Sequence, residues 1–381
     1  MKALLFANRV VDPVPAMTGI GRYVHEITVA LATAGAAEGW SYDVSAPTER
    51  GRPGWLPEGV GYRPVPGPRR PLHLAWTAIG GPRLERLVGG FDLVHALHPS
   101  FPVPTRQPAV VTVHDLMPLQ HPDWYDRGET WGFRRTLDGV ARDGSSVIAV
   151  SRHVAGLLEE TAGVPRDRIT VIHEAVDGRF GRRVAAHRVA QVCVAHGVEP
   201  GRYLLALGNI STRKNLGTVV RAMAAVEPAD LPLLVIGRTG PKAAEVRAEV
   251  SRRHLEDRVR IGGFVEDEAL PALLQGALAL VHPSLDEGFG FPPLEAMAAA
   301  TPVVAAMAGS VPEIVGAAGV LVEALDVDAW AAAITRVAAD AALRTRLAAL
   351  GVARASDFTW PGAARRTLAV HRAALGDALT G

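Results

Sequence analysis

The sequence predicts an α/β protein made of two doubly wound, Rossmann-like domains. A chain of 381 residues is longer than one ordinary domain core. Short apolar runs alternate with longer amphipathic stretches, a pattern typical of strands and helices around a parallel sheet. The twelve apolar runs are more than one open sheet holds comfortably, so they indicate two sheets.

The first half contains six apolar runs that we interpret as strands, at residues 3–7, 42–46, 92–97, 109–113, 147–150 and 169–172. A helix is expected after the first strand, because five apolar residues repeat on one helical face: Ile20, Tyr23, Val24, Ile27 and Leu31. Ser151 is placed to cap a further helix. Residues 47–71 are rich in Pro, Gly and Arg and predict a long surface loop.

The second half repeats the scheme, with strands expected at residues 203–207, 233–236, 259–261, 279–281, 302–305 and 319–322. The pattern lapses between residues 180 and 200, so we place a first domain at 1–183 and a second at 184–361. Trp360-Pro361-Gly362 predicts a break before a last helix at residues 363–374. Ligands of open α/β sheets bind at the carboxyl ends of strands, so the chemistry is expected in strand-to-helix loops.

Composition restricts the partners and the compartment. A formal net charge of +1 argues against a nucleic-acid partner, which normally requires a basic surface. Cys193 is the only cysteine, so an intrachain disulfide cannot form. No apolar run approaches the roughly 18 residues of a membrane helix, and the first run is too short for a secretion signal. We therefore expect a cytoplasmic protein with at most peripheral contact at the inner membrane face.

Residues 282–298 carry the strongest functional pattern. They follow a buried strand and enter a helix near Pro292, where free amides and the helix dipole favour an anion. Glu287 and Glu295 bracket this anion site with seven residues between them. Carboxylates suit sugar and ribose hydroxyls better than phosphate. The alternative interpretation is that Glu287 only caps the helix and Glu295 faces solvent.

The segment Glu-Gly-Phe-Gly-Phe-Pro-Pro-Leu-Glu-Ala-Met, beginning at Glu287, resembles the E-x7-E signature of retaining glycosyltransferases of family 4. Those proteins share the GT-B fold and include many mannosyl- and glucosyltransferases of cell-envelope glycans. The resemblance extends along nearly the whole chain. It implies two Rossmann-like domains facing a deep cleft, with residues 362–381 packing back on the first domain.

The resemblance also assigns roles within this segment. In the family the first glutamate contacts hydroxyls of the transferred sugar, which points to Glu287. The second glutamate binds the nucleotide ribose, which points to Glu295. Backbone amides around Phe289, Gly290 and Leu294 are then expected to hold the sugar and the diphosphate.

A basic pair follows the first strand of the second half. Arg213 and Lys214 precede an expected helix, where cations oppose the helix dipole unless an anion is bound. A surface basic pair is the alternative interpretation. In the family this Arg-Lys pair neutralises the leaving diphosphate. Asn209 stands where many members carry another arginine, so a larger share of the charge is expected from Arg213.

Further candidates lie in the first half and near residue 264. Thr18-Gly19-Ile-Gly-Arg-Tyr is a glycine-rich turn whose amides can cradle phosphate, and the family places such a turn against the donor diphosphate, matching Gly19. Val24 stands where a dinucleotide fingerprint needs a third glycine, which argues against an oxidoreductase. His114 ends the strand at 109–113. A structural histidine is the alternative, whereas family members use a histidine here to contact the donor sugar.

Two more segments resemble family elements. Gly263-Phe264-Val265 resembles the loop that packs the nucleotide base, so Phe264 and Val265 are expected in the donor site. Glu174 stands where many relatives have Asn-Gly, and it receives no role from the resemblance.

The resemblance implies a metal-independent hexosyl transfer in which Arg213 and Lys214 stabilise the leaving group. Asp326-Val-Asp328 has the spacing of a metal site, but it precedes a helix, where Asp326 serves better as an N-cap. No cofactor is expected beyond the nucleotide-sugar donor, for which GDP-mannose is the first choice. The acceptor is a glycan, a lipid-linked sugar or a small molecule.

Three other classes remain for comparison. A sugar-nucleotide epimerase shares this fold and would release epimerised nucleotide sugar without an acceptor. A phosphorylase would need a lysine for pyridoxal phosphate, and the chain has only Lys2, Lys214 and Lys242. A non-catalytic nucleotide-sugar-binding protein would show no turnover with any acceptor.

Overall fold

The structure is a computed structural model that describes residues 1–7, 19–47, 51–98, 100–240 and 242–380. The chain divides into two compact units. The first unit comprises Met1–Ala175 and Thr359–Gly381, and the second comprises Val176–Phe358. Each unit contains one parallel sheet covered by helices, which agrees with the expected pair of Rossmann-like domains.

The first unit contains a seven-stranded sheet in the order β3-β2-β1-β4-β5-β6-β7. Its strands are β1 (Lys2–Phe6), β2 (Ser41–Ser45), β3 (Gly61–Tyr62), β4 (Leu93–Ala96), β5 (Ala109–Val113), β6 (Ser146–Ala149) and β7 (Ile169–Val171). The helices between them are α1 (Gly19–Ala36), α2 (Arg69–Ile79), α3 (Leu84–Val88), α4 (Met117–Gln120), α5 (Arg127–Asp143) and α6 (Arg152–Ala162). Ser151 accepts a hydrogen bond from Val154 N, which confirms it as the N-cap of α6.

The second unit contains a six-stranded sheet in the order β10-β9-β8-β11-β12-β13. Its strands are β8 (Leu204–Leu207), β9 (Leu233–Ile236), β10 (Val259–Gly263), β11 (Ala279–His282), β12 (Val303–Ala306) and β13 (Gly319–Val322). Its helices are α7 (Ala186–Ala195), α8 (Leu216–Met223), α9 (Ala243–Arg252), α10 (Leu270–Gly276), α11 (Phe291–Ala298), α12 (Val311–Val315), α13 (Val327–Ala339) and α14 (Ala341–Ala355). The strand order reverses between β8 and β11, and ligands of open sheets bind beyond such a reversal.

The last helix, α15 (Trp360–Thr380), belongs to the first unit. The ring of Trp360 lies 5.9 Å from that of Tyr23 in α1. Arg366 Nη2 donates to the carbonyl of Val171 at 2.6 Å, at the end of β7. These contacts attach α15 to both a helix and the sheet of the unit.

A buried polar chain also joins α15 to the sheet. His371 Nε2 lies 3.0 Å from His95 Nδ1, and His95 Nε2 lies 2.8 Å from Thr112 Oγ1. Tyr42 Oη lies 3.4 Å from His371 Nδ1, and Tyr23 Oη lies 3.1 Å from Thr112 Oγ1. Burial lowers the pKa of both histidines, that of His371 to about 3. Each neutral imidazole can donate one hydrogen bond and accept one, so the chain can be continuous.

All twelve expected strands are present, each within two residues of its expected bounds. Buried strands are predictable because apolar runs of this length have few other places to fold. The short edge strand β3 was missed because its two residues have no apolar pattern, and it forms by pairing with Asp43 and Val44. Residues 47–71 are therefore not one loop, since they contain β3 and the first three residues of α2.

Three boundaries differ from expectation. The first unit ends at Ala175 and not at 183, because residues 176–184 pack with the second unit and belong to it. Arg179 Nη2 donates to Asp267 at 3.0 Å, and Val184 N donates to Gln275 at 2.9 Å. The second unit ends at Phe358 and not at 361. Trp360-Pro361-Gly362 forms the first turn of α15 and not a break, because proline is tolerated where the helix has no amide partner.

Candidate active site

The candidate site of the second unit lies beyond the carboxyl ends of β8 and β11. These strands are neighbours at the reversal of strand order. The loop after β8 carries Arg213 and Lys214, and the loop after β11 carries Glu287. The fold brings Arg213 and Glu287 together across 74 positions of sequence.

The carboxylate of Glu287 is bound by both cations. Arg213 Nη1 donates to Oε2, and Lys214 Nζ donates to Oε1. His282 Nε2 lies 3.2 Å from the same Oε1. Glu287 is 7% exposed. Burying a charge costs much free energy unless an opposite charge pairs with it. These residues therefore form one ionic cluster.

The cluster shifts the ionisation of its members. Burial alone would raise the pKa of Glu287, but Lys214 and Arg213 hold it well below its usual range. Burial lowers the pKa of Lys214, and Glu287 offsets part of this effect. Burial also lowers the pKa of His282, so this ring is neutral near pH 7. The cluster therefore presents a carboxylate between cations beside an uncharged imidazole.

Backbone contacts position the loop that carries Glu287. Leu285 N donates to the carbonyl of Arg213 at 2.8 Å, which joins the two loops directly. Ser310 N donates to the carbonyl of Glu287 at 3.0 Å. Gly309 has a φ of 57°, and a Cβ at this position would collide with the backbone of Glu287. A glycine is therefore required at 309 for this approach.

The start of α11 completes the segment. Gly290 is its N-cap, with a φ of 102° and no side-chain capping bond. Ser310 Oγ donates to the carbonyl of Phe289 at 2.7 Å, and Leu294 is fully buried. Glu295 is 4% exposed. The interpretation in which Glu287 caps α11 and Glu295 faces solvent is therefore wrong.

Glu295 belongs to the same electrostatic environment as Lys214. Its negative charge raises the pKa of Lys214, although less than Glu287 does. Two cations and two carboxylates are thus grouped at the carboxyl edge of the second sheet. The start of α11 lies in the same segment, but Pro292 and Pro293 in its first turn have no amide hydrogen, and Leu294 N donates to the carbonyl of Gly290 at 3.4 Å.

The remaining donor candidates lie in loops next to this cluster. Asn209 Oδ1 accepts from Arg238 N at 3.3 Å, which joins the loops after β8 and β9. Phe264, directly after β10, is 50% exposed, and the guanidinium of Arg238 lies 5.4 Å from its ring centroid. Val265 is buried. Phe264 can therefore offer an aromatic face, whereas Val265 supplies only its backbone.

In the first unit, His114 lies at the end of β5 with partners on both ring nitrogens. Nδ1 lies 2.9 Å from Glu174 Oε1, and Nε2 lies 2.8 Å from the carbonyl of Leu97. A carbonyl can only accept, so Nε2 carries a proton. The ring of Tyr23 packs against His114 at 79° with centroids 4.7 Å apart. The imidazole is therefore fixed in orientation by three neighbours.

The fold raises the pKa of both His114 and Glu174. Burial would lower the pKa of His114, but its hydrogen bond to Glu174 raises it. Burial raises the pKa of Glu174, and His114 offsets part of this increase. The two shifts have the same sign, so folding favours the proton that the pair shares.

The sequence analysis placed Gly19 in a turn before the first helix. In the structure Gly19 is the first residue of α1, so that placement is wrong. A glycine-rich start lets the backbone approach a ligand at a helix N-terminus. Thr18, which opened the expected turn, lies outside the described residues. Tyr23, one turn further along α1, connects this end of the helix to His114.

Two residues of these clusters were missed by sequence reasoning. His282 was included in the segment 282–298 but received no role, and Glu174 was noted only as a departure from the family pattern. The available signal for His282 was a histidine at the end of a buried strand, five residues before Glu287. Glu174 had a weaker signal, because its partner lies 60 positions away.

Asp326 is confirmed as an N-cap, because its side chain accepts from Ala329 N at the start of α13. Within the described residues, no group of three or more His, Cys, Asp and Glu side chains could hold a metal ion. Also within the described part of the chain, no helix has both the length and the apolar character needed to cross a membrane.

Two family models match the chain. Residues 17–180 match the model described as Glycosyltransferase Family 4, and residues 195–351 match the model described as Glycosyl transferases group 1. The chain therefore contains a Glycosyltransferase Family 4 domain and a Glycosyl transferases group 1 domain. The second match contains Arg213, Lys214, Glu287 and Glu295, and the first contains Gly19 and His114.

Two relatives of this chain are named O-antigen chain mannosyltransferases. O-antigen chain mannosyltransferase RfbU of Salmonella typhimurium is 30% identical over 61% of this chain, and the match spans 60% of that relative's length. O-antigen chain mannosyltransferase B of Escherichia coli is 28% identical over 76% of this chain and 78% of the relative.

Solved structures show that this chain has the GT-B fold. Sucrose-phosphate synthase from Thermosynechococcus elongatus has a TM-score of 0.75 at 23% identity, covering 99% of this chain and all of that protein. HepE from Anabaena, in complex with UDP and glucose, has a TM-score of 0.72 at 19% identity, covering 97% and 99% of the two chains. At these identities the likeness establishes the fold alone.

Proposed function

We propose that this protein transfers a hexosyl group, mannose as first choice, from a nucleotide sugar to an acceptor hydroxyl. The observation that carries the proposal is the grouping of Arg213, Lys214, Glu287 and Glu295 beyond β8 and β11. The match to the Glycosyltransferase Family 4 model and the mannosyltransferase relatives support it. The acceptor is a glycan, a lipid-linked sugar or a small molecule.

The cations of the cluster account for the leaving group. Donor cleavage develops negative charge on a nucleotide diphosphate, which fixed positive charges stabilise without reorganisation. Arg213 and Lys214 supply two such charges. We therefore propose that the reaction does not depend on a metal ion.

Donor binding changes the partners of Glu287. Without a donor, this carboxylate occupies the hydrogen-bond donors of Arg213 and Lys214. A bound diphosphate competes for the same donors because its charge is larger. Glu287 then loses part of its pairing and accepts hydrogen bonds from sugar hydroxyls. Glu295, fixed on α11, accepts from the ribose.

We propose that transfer retains the configuration of the anomeric carbon. The acceptor hydroxyl attacks the face from which the diphosphate leaves, and a phosphate oxygen takes its proton. The new glycosidic bond forms as the bond to the leaving oxygen breaks.

The donor preference can be measured through stability. A ligand present at a hundred times its Kd adds about 2.7 kcal/mol to the free energy of unfolding. We expect GDP-mannose to raise Tm more than UDP- or dTDP-hexoses. A larger shift with a UDP-sugar would replace mannose as first choice and leave the transferase proposal intact.

Catalysis is tested by following sugar transfer from the stabilising donor to candidate acceptors. Arg213→Gln should lower kcat/KM about ten- to a hundredfold, the contribution of one charged hydrogen bond. Arg202→Gln is the matched control, because Arg202 is an exposed arginine of the same unit with surface partners. Equal activity of the two variants would contradict the proposed role. Release of epimerised nucleotide sugar without acceptor would identify an epimerase.

A further inference from the structure

His282 is the last residue of β11, and it is 1% exposed. This strand lies between β8 and β12 in the second sheet, and His282 pairs with Ala305 of β12. The other residues of the strand, 279–281, are apolar and buried. A polar ring buried among such residues costs free energy unless it finds a hydrogen-bond partner.

The Nε2 atom of His282 faces Glu287 without completing a hydrogen bond. It lies 3.2 Å from Oε1, the oxygen to which Lys214 Nζ already donates. The distance permits a hydrogen bond, but among the described residues no acceptor meets Nε2 in the required direction, so this buried nitrogen has no hydrogen-bond partner. A buried donor without an acceptor destabilises the state in which it occurs. A state in which Nε2 donates in line to Oε1 is therefore more favourable for this ring.

The ring of His282 is a neutral donor. Burial lowers its pKa more than its contact with Glu287 raises it, and Lys214 and Arg213 lower it as well. The carboxylate of Glu287 is ionised beside these cations, so it can only accept. The tautomer that carries its proton on Nε2 is therefore the one that suits this position.

The three partners of the Glu287 carboxylate differ in charge. Among the described residues they are Arg213 at Oε2, Lys214 at Oε1 and His282 beside Oε1. A bound diphosphate attracts the two cations, because it carries more negative charge than one carboxylate. It attracts a neutral imidazole much less. His282 is therefore the partner that stays with Glu287 while a donor is bound.

Loss of both cations would leave Glu287 as a buried charge, which is strongly unfavourable. Donation from His282 Nε2 to Oε1 replaces the hydrogen bond that Lys214 withdraws. Oε2, from which Arg213 withdraws, then becomes free to accept from a sugar hydroxyl. The main chain stays anchored, because Ser310 N donates to the carbonyl of Glu287 at 3.0 Å. Only the carboxylate group has to turn.

We propose that His282 is a positioning residue for Glu287. When a nucleoside diphosphate binds Arg213 and Lys214, His282 Nε2 donates to Oε1 and fixes the carboxylate. Oε2 is then left for the transferred sugar. The inference rests on the proposed function and deepens it, because it names the group that replaces the cations. It also gives a reason for a histidine, and not a third cation, at the end of β11.

The inference predicts that His282 supports diphosphate binding only while residue 287 is a carboxylate. His282→Leu should weaken GDP binding about tenfold or more, because Glu287 loses its replacement hydrogen bond. In the Glu287→Gln background, the same substitution should change the GDP affinity by no more than about twofold. A neutral amide at 287 does not compete for the cations and needs no replacement partner. Calorimetry on the four proteins measures this difference, with UDP in place of GDP if UDP raises Tm more.

Two further variants separate the hydrogen bond from packing. His282→Gln keeps an N–H donor at a similar reach from the backbone, so it should bind GDP more tightly than His282→Leu. His196 is the matched control, because it is a half-buried histidine of the same unit whose Nδ1 lies 2.8 Å from the carbonyl of Val192. His196→Leu should bind GDP as the wild type does. Circular dichroism verifies that each variant is folded.

Nuclear magnetic resonance tests the same step in the wild type. The ring N–H proton of His282 is assigned by its absence from the spectrum of His282→Gln. It should move downfield when GDP is added, because a hydrogen bond to a carboxylate deshields the proton. This measurement remains decisive if His282→Leu does not fold.

Several results would overturn the inference. They are an unchanged GDP affinity in His282→Leu, an equal loss in both backgrounds, no advantage of His282→Gln over His282→Leu, or a ring proton that does not respond to GDP. Absence of binding for both GDP and UDP would overturn it as well. Because the readouts are binding and resonance, a protein that shows the expected coupling yet transfers no sugar would contradict only the proposed function.

Discussion

Glu287 and Glu295 are both buried carboxylates of one segment, but their neighbours differ. Glu287 is bound by Arg213 and Lys214, whereas the charge of Glu295 is the weaker of the two carboxylate influences on Lys214. An interaction that strengthens in the transition state changes kcat, and one that is equal in both states changes binding alone. The two residues should therefore fail in different ways when their charges are removed.

Glu287→Gln should lower kcat about ten- to a hundredfold without weakening the binding of nucleoside diphosphate, because it releases two cations from a competing carboxylate. Glu295→Gln should raise the donor KM and weaken nucleoside diphosphate binding by about tenfold or more. Calorimetry with the diphosphate, run beside steady-state kinetics, separates these effects. Equal weakening of diphosphate binding in both variants would refute the division of roles.

The His114–Glu174 pair predicts a pH-dependent stability. Folding raises the pKa of His114, so the pair stabilises the fold fully below the unfolded pKa of 6.5. This stabilisation is lost as pH rises through the folded pKa. In Glu174→Gln, the buried His114 loses the carboxylate that raises its pKa. The stability difference between the wild type and this variant should therefore be larger at pH 5.5 than at pH 8.5, as measured by denaturant unfolding.

Glu85→Gln supplies the control for this measurement. Glu85 is a carboxylate of the same unit that accepts from Thr105 and from Arg106 N. Burial alone would raise the pKa of Glu85, but these hydrogen bonds lower it. The stability that Glu85 adds to the fold is therefore complete above its unfolded pKa of 4.5. The stability lost in Glu85→Gln should not change between pH 5.5 and 8.5. An equal pH dependence in both variants would contradict the interpretation of the His114 pair.

At the scale of elements, the attachment of α15 depends on apolar packing and on one buried polar chain. Trp360 and Leu368 bury apolar surface, as expected for any helix on a core. His371 instead bonds to His95 of β4, so the same helix carries a group that must stay neutral. The docking of α15 should therefore be sensitive to acid, although most of its buried surface is not.

Acid should loosen α15 through His371. The pKa of His371 is about 3 in the folded protein and 6.5 in the unfolded chain. The stability that neutral His371 adds to the fold is therefore complete above pH 6.5 and is lost as pH falls toward 3. For one group, the free energy of unfolding changes by roughly 1.4 kcal/mol per pH unit. His371→Leu should cost about 1–3 kcal/mol at pH 7.5, because His95 loses a partner, and should flatten the acid limb.

Hydrogen exchange of α15 amides and denaturant unfolding, at pH 7.5 and 5, test this prediction. His187→Leu, at an exposed histidine of α7, is the matched control and should follow the wild type. If the stability of His371→Leu falls with acid as steeply as that of the wild type, another group controls the acid limb. His95 is the next residue to examine, because burial lowers its pKa as well.

At the scale of the whole molecule, the proposed reaction relies on protein cations for the charge of the leaving group. We expect sugar transfer to continue unchanged after treatment with EDTA and not to increase when manganese is added. Arg213 and Lys214 are covalently part of the chain, so chelation cannot remove their charge. Activity that EDTA abolishes and manganese restores would show that a metal supplies this charge.

The sequence by itself determined the two-sheet architecture and the loops that carry the candidate residues. Buried parallel strands need apolar runs, and those runs are local in sequence, so all twelve expected strands were found. Residues in the loop that follows a strand, such as Arg213 and Glu287, could be assigned to the carboxyl edge of a sheet from position alone. The short strand β3 could not, because only its pairing partner makes it a strand.

Only the tertiary structure decided which side chains are partners. Glu287 lies between Arg213 and Lys214, and His114 pairs with Glu174 across 60 positions. In the first unit, a cavity is lined by the starts of α2 and α5, although two strands separate these helices in sequence. Such pairings depend on how loops pack after the sheet has formed. No local period encodes that packing, so sequence reasoning could name most of these residues but not their contacts.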